Sequence, residues 1–495
     1  MPLDHPVPTG LVLPQRNGLF YDGAWHAPLG GRMSESVSPA TGKPLGQASV
    51  ALAEDVDAAV AAAQAGFREW RRVPPLERAK ILRRIAAVIR EHGAELAMLD
   101  AADGGNPVTE MRSDADVAAN LLEFHAGLVT EMKGHSVPMG PDAVNFTMRQ
   151  PYGVVARIVA FNHPFMFSAG RMAAPLAAGN AVIMKPPEQA PLSGLRLAEL
   201  VGGLLPRGVF GLITGGREAG EALAAHPGVA MVTLIGSVPT GRAVMRGAAE
   251  RLKPVLLELG GKNALIAFPD ADPDEVAAGA VQGMNYTWCG QSCGSMSRVF
   301  LHDSIHDAVV ERIRARIAHF RPGMPTDPAT TMGAIVSRAQ YDRVLGYIEA
   351  GRAEGARLLC GGGPPADPAL RDGLFIEPTV FTGVRQSMRI ASEEIFGPVQ
   401  SVLRWTDEAA MLAEVNSVEY GLTCAIYTND VRRAHRMAAE VEAGYVWINK
   451  VSTHFLGTPF GGWKQSGIGR DECLEELLFF TQEKNVHVNL KAHGA

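Results

Sequence analysis

Cysteine is scarce, with five in 495 residues, at Cys289, Cys293, Cys360, Cys424 and Cys473. The number is odd, the spacing irregular and no CxxC pair occurs, so neither a disulfide framework nor a zinc site is indicated. A reducing cytoplasm is the compartment expected for such usage. No long Lys/Arg tract exists and the formal net charge is −6, which argues against a nucleic-acid partner. Long apolar runs are missing too. Val276 to Ser297 carries no charge, but its Gln, Asn, Gly and Ser content is too polar for a bilayer span. Met1 to Gln15 lacks the basic-then-apolar order of a signal peptide, so a soluble protein without a membrane partner is expected. The GxGxxG dinucleotide fingerprint is also absent from the strand-to-helix turns.

What is present is 47% hydrophobic and 20% charged residues with 54 glycines, the profile of a globular α/β protein. At about 150 residues per unit the length suggests about three structural units. The first ~150 residues read as helical, with helices over Val56 to Trp70, Leu76 to Leu99 and Asp114 to Met132. From Gly153 short apolar runs (Val154–Ala160, Ala181–Met184, Val209–Ile213, Val229–Ile235, Val255–Leu259) alternate with helical segments. That alternation predicts βαβ units and a mostly parallel, doubly wound sheet. A second alternating region runs from about Asn263 to Asn449, and Asn485–Leu490 reads as a lone strand pairing outside its own domain.

Six segments carry residue types suited to chemistry. Gly236-Ser237 ends an apolar run and opens a helix, where phosphate can approach N–H groups, although a plain turn uses the same residues. Lys185-Pro186-Pro187-Glu188 places a cation and a carboxylate at a strand end, where ligands of open sheets bind. Gly290-Gln291-Ser292-Cys293-Gly294 sets a thiol among small residues that a substrate can approach; a buried structural cysteine is the alternative. Glu258-Leu259-Gly260-Gly261-Lys262 offers a base or an ion-pair partner for Lys262. Phe161-Asn162-His163-Pro164-Phe165 presents an amide donor at a strand tip, and Glu393-Glu394-Ile395-Phe396-Gly397-Pro398 sets carboxylates beside an aromatic ring.

In this order, and with Pro459–Arg470 matching PFGGxKxSGxGR, the segments resemble the NAD(P)-dependent aldehyde dehydrogenase superfamily over essentially the whole chain. The resemblance implies an α/β fold of three parts. These are a Rossmann-like coenzyme domain (1–132 and 152–260), an α/β catalytic domain (261–480) and a small β oligomerisation element (133–151 and 481–495) giving a homodimer or homotetramer. It also implies roles. Cys293 is the nucleophile, Glu258 the general base, and Asn162 with the Cys293 N–H the oxyanion hole. Lys185 and Glu188 hold the adenosine ribose, Gly236 and Ser237 face the pyrophosphate, and Glu394 and Phe396, with Phe161 nearby, position the nicotinamide end. NAD is expected over NADP because the Glu188 charge repels a 2′-phosphate. Members that pass the acyl group to coenzyme A lack the base that Glu258 matches, so hydrolysis to the free acid is implied.

The departures concern the substrate. Phe161 and His163 flank Asn162 where the family often has Trp and another aromatic, and Asp471 precedes Glu472 where a Glu is usual. Gly170 aligns with a tunnel tryptophan and is expected to open room, with Phe167, Trp288, His454 and Phe460 nearby. An aromatic or medium-chain aldehyde is the expected substrate. The alternatives are betaine aldehyde or another aminoaldehyde, since aromatic boxes bind quaternary ammonium, or a non-catalytic structural member of the fold.

Overall fold

The computed structural model describes residues 8–491. Its first sheet has five parallel strands at its centre: Val154–Ile158, Ala181–Lys185, Phe210–Leu212, Met231–Ile235 and Val255–Glu258. Their spatial order is third, second, first, fourth, fifth. These strands are nearly continuous Val/Ile/Leu runs because helices cover both faces of the sheet. The order reverses between Val154–Ile158 and Met231–Ile235, and the crevice at such a reversal is where open α/β sheets take ligands. Asn162 follows one of these two strands and Gly236-Ser237 follows the other.

The helical N-terminal region packs on this sheet through Ala53–Trp70, Pro75–Glu91, Gly93–Gly104 and Val108–Gly127. Trp70 is fully buried and its indole N–H donates to the Leu176 carbonyl at 3.1 Å. The single helix expected over Leu76 to Leu99 is broken at His92, whose backbone leaves the helical region (φ −100, ψ 10) before Gly93. The helix expected from Asp114 starts six residues earlier, directly after Pro107, and ends at Gly127 rather than Met132. Proline just ahead of the first turn was the start signal for it.

The second sheet orders Arg357–Cys360, Thr379–Thr382, Val399–Trp405, Arg298–His302, Ala264–Ala267, Thr423–Tyr427 and Tyr445–Ile448 from edge to edge. All neighbours are parallel except the first pair. A third, small sheet joins Thr481–Asn489 to Ala143–Pro151 and Ser136–Pro138. The lone C-terminal strand is therefore longer than Asn485–Leu490 and pairs with a segment over 300 residues away. Gly467–Ile468 forms an edge of the first sheet, and Leu477 and Phe480 lie in the first core. Residues 467–480 thus pack on the first sheet, not within a continuous 261–480 unit.

Candidate active site

The cysteine segment is held open by unusual backbone. Asn285, Cys289 and Gly290 all have positive φ (57, 55 and 64°). At Gly290 a Cβ would collide with the Gly397 carbonyl oxygen, so glycine is required both by conformation and by space. Asn263 donates from Nδ2 to the carbonyls of Cys293 (2.6 Å) and Ser295 (3.0 Å), and its Oδ1 accepts the Thr423 N–H. Gly261 lies beneath: a Cβ there would be 2.6 Å from the Cys293 carbonyl oxygen. Gly290→Ala is expected to leave the protein folded but to displace the loop. The check is a drop in kcat/KM with aldehyde of at least about tenfold, the cost of misplacing a reacting group by a fraction of an ångström.

Cys293 is half-buried, and its thiol interacts electrostatically with the Glu258 carboxylate at the end of Val255–Glu258. Burial, the Glu258 charge and the more distant Glu394 push the thiol well above its ordinary pKa, against a smaller opposing contribution from the Gly294 N–H. Glu258 itself is raised to about 8, first by burial; its interaction with Cys293 and the Arg171 charge oppose this, while Asp471 adds to it. Glu258 Oε1 is buried and has no hydrogen-bond partner among the described residues. Among the described residues the Asn162 side-chain amide and the Cys293 N–H have no hydrogen-bond partner, while the Asn162 carbonyl is pinned by Asn106 Nδ2 at 2.8 Å.

Behind Glu258 lies a buried ion network that sequence reasoning missed. Arg171 sits 3.2 Å from Glu472 and 3.5 Å from Asp471, and Glu476 takes Arg157 and His125 at 3.5 and 3.3 Å. Asp471 is raised to about 6, by burial above all, with Arg171 opposing. The sequence signal was Arg171 itself, a charge within an otherwise apolar stretch from Pro164 to Ala178.

Lys185 ends its strand buried, with a long 3.4 Å contact to the Pro186 carbonyl, and burial lowers it to about 8 although Glu188 opposes the shift. Glu188 lies over Gly216, where any Cβ would strike its carboxylate. The Gly236 N–H is spent on the Glu258 carbonyl at 3.0 Å, and the Ser237 hydroxyl caps its own helix by accepting the Thr240 N–H at 3.4 Å. Phosphate-facing donors in this turn would therefore be the N–H groups of Ser237 and Val238, not that of Gly236. Glu394 accepts the Gly261 N–H at 2.8 Å and is raised to about 7 by burial against that bond and Lys262. Phe396 (φ 57°) sets its ring edge-on to Phe161, centroids 5.6 Å apart.

Phe167 packs edge-on to His163 (5.4 Å), and His163 to Trp288 (4.7 Å). His454 packs on Phe460 (4.6 Å) and bonds Glu472 at 3.1 Å, and Phe460 is tied to Asp471 by paired backbone bonds. Gly170 does not open room. A Cβ there would lie 2.8 Å from Leu121 Cδ1, because the helix Val108–Gly127 packs into the space a larger side chain would occupy. Among the described residues no cluster of three or more His, Cys, Asp or Glu is arranged to hold a metal, and no helix is long and apolar enough to cross a membrane.

A reversed-order parallel sheet joined to a thiol–carboxylate pair defines a class of enzyme, and comparison with known proteins agrees. The model of the aldehyde dehydrogenase family matches residues 25–486. Aldehyde dehydrogenase tropH of Talaromyces stipitatus is 52% identical over 491 residues, covering 98% of this chain and 95% of that protein. Betaine aldehyde dehydrogenase of Brucella anthropi is 42% identical, covering 95% of this chain and 97% of that protein. The NAD+ complex of an aldehyde dehydrogenase from Bacillus cereus superposes with a TM-score of 0.93 at 38% identity, over 96% of this chain and 97% of that one. The chain belongs to the aldehyde dehydrogenase family.

Proposed function

We propose that this protein oxidises an aldehyde to its carboxylic acid with NAD, through a thioester on Cys293. The observation that carries the reading is the electrostatic interaction of the Cys293 thiol with the Glu258 carboxylate. Glu258 takes the thiol proton as sulfur attacks the aldehyde carbon, which activates a cysteine whose pKa is otherwise unhelpful. Asn162 Nδ2 and the Cys293 N–H are the free donors for the resulting alkoxide; losing one such donor typically costs about 10²–10³ in rate. The coenzyme, when bound, supplies the hydride acceptor that turns the hemithioacetal into a thioester. Once that first proton has passed to solvent, Glu258 takes a proton from the water that attacks the thioester, and returns it to the Cys293 thiolate expelled as the acid leaves. Appearance of NADH at 340 nm with an aldehyde panel tests this; none with any aldehyde would sink it.

The fit to a nicotinamide dinucleotide rests on Lys185 being buried with only a weak partner and on the Glu188 carboxylate lying over Gly216. We place the adenosine ribose there, with Ser237 and Val238 toward the pyrophosphate and Glu394, Phe396 and Phe161 toward the nicotinamide end. NADP is accepted less well because Glu188 repels the added phosphate. Glu188→Ser should narrow the NAD/NADP ratio of kcat/KM by about tenfold or more; a charge–charge contact of this kind is worth roughly 1.4 kcal/mol or above. An unchanged ratio would assign the discrimination elsewhere.

We propose an aromatic or medium-chain aldehyde as substrate, with Phe167, Trp288, His454 and Phe460 as the aromatic groups to receive it. Betaine aldehyde is the second reading, favoured by the cluster of Tyr445, Trp447 and Phe460 and by the Brucella anthropi relative. The exposed Val137, Val144, Met148 and Val488 of the small sheet and the unpaired edge Tyr445–Ile448 support a homodimer or homotetramer, which light scattering would read. The division into coenzyme, catalytic and oligomerisation parts is proposed with residues 467–480 assigned to the first.

A further inference from the structure

Two buried cations meet where three neighbouring strands of the second sheet begin. Lys262 leads into Ala264–Ala267, Arg298 opens Arg298–His302 on one side, and Thr423 opens Thr423–Tyr427 on the other. All three residues wall a small cavity of about 10 Å³, room for one particle of water size. Lys262 is 1% exposed, and its Nζ has no hydrogen-bond partner among the described residues; the buried Thr423 hydroxyl has none either. Arg298 is 2% exposed and is met by neutral acceptors alone. These are the carbonyls of Lys262, Glu414 and Val415 at 2.9, 3.2 and 3.0 Å, and Gln386 Oε1 at 3.2 Å.

The other ionisable groups of the wall do not compensate these charges. The Cys424 thiol and the Tyr420 hydroxyl are each pushed up to about 12, above all by burial, and stay neutral. Glu442 is exposed and ion-paired to Lys464. Beyond the wall, Glu394 and Glu393 favour the charged amine of Lys262, but burial and the Arg298 charge outweigh them and push it down to about 7. A water in the cavity would accept from the amine yet bring no charge, and an uncompensated buried cation is costly. A small anion accepts from the amine and the hydroxyl and offsets the cations as well. Carboxylates and phosphates exceed the space.

We propose that this cavity binds one small monovalent anion, of chloride size, through Lys262 Nζ and Thr423 Oγ1, with Arg298 supplying the second positive charge. Bound there, the anion ties the Lys262–Asn263 turn to Thr423, next to the Asn263 amide that holds the carbonyls of Cys293 and Ser295. The site is independent of the substrate and coenzyme assignments above.

Wild-type crystals soaked in bromide give the direct test: an anomalous peak is expected within hydrogen-bond distance of Lys262 Nζ. In solution, exchanging gluconate for chloride at fixed ionic strength should raise the melting temperature saturably, by about 2–3 °C at a hundredfold excess over Kd. Lys262→Met should abolish the peak and the saturable shift. Thr423→Val keeps the shape and removes one hydrogen bond to the ion, so it should weaken chloride binding by about tenfold or more. If the methionine variant does not fold, the wild-type bromide map and the valine variant decide the matter. A cavity without anomalous density, or a chloride shift of equal size and midpoint in the wild type and the folded variants, overturns the site.

Discussion

Cys293→Ala is expected to abolish aldehyde oxidation and ester hydrolysis together, by at least about 10⁴-fold, as removal of a nucleophile does in other covalent enzymes. The substitution deletes one buried sulfur and leaves Asn263, Gly261 and the loop backbone in place, so the fold should survive. Coenzyme binding, read as a thermal shift with NAD, should persist, because Lys185, Glu188 and Ser237 lie on other elements. Cys289 cannot take over. It is fully buried in a left-handed backbone conformation (φ 55°), and burial pushes its thiol to about 12. Substantial turnover in Cys293→Ala, lost on adding Cys289→Ala, would move the nucleophile to Cys289.

Glu258→Gln should separate the two halves of the reaction. Hydrolysis of the thioester needs a base, and glutamine keeps the shape while removing it, so steady turnover should fall by about 10²–10⁴. Because this carboxylate is the proposed base for the thiol, acylation should slow as well. Rapid mixing with NAD and aldehyde should show a retarded burst of up to one equivalent of NADH, and mass spectrometry should find the acyl group on the Cys293 peptide. The pH profile supplies a second reading. A base raised to about 8 is mostly protonated at neutral pH, so wild-type turnover should climb up to about tenfold per unit below pH 8 and level off above it. The glutamine variant should lack that limb. A variant with wild-type steady turnover would leave Glu258 as an electrostatic partner of Arg171 and Asp471 only.

The sheet strands were legible because buried parallel strands must be runs of Val, Ile and Leu, and the motif segments because strand ends and glycine turns are local features. Cys293, Glu258, Lys185 and Glu394 stood out for that reason. Helix limits were harder: apolar periodicity runs through the break at His92, which depends on which face each turn buries, whereas the start after Pro107 was marked locally by the proline itself. The sequence by itself determined the elements, their alternation and which segments carry reactive side chains, since these follow from spacing over a few residues. Only the tertiary structure decided that the Glu258 carboxylate acts on the Cys293 thiol, that Arg171 and Asp471 act on that carboxylate in turn, that Asp114 holds His163 and that a neighbouring helix fills the space at Gly170. Those facts depend on burial and on charges tens to hundreds of residues apart, and neither desolvation nor through-space distance is written in local spacing.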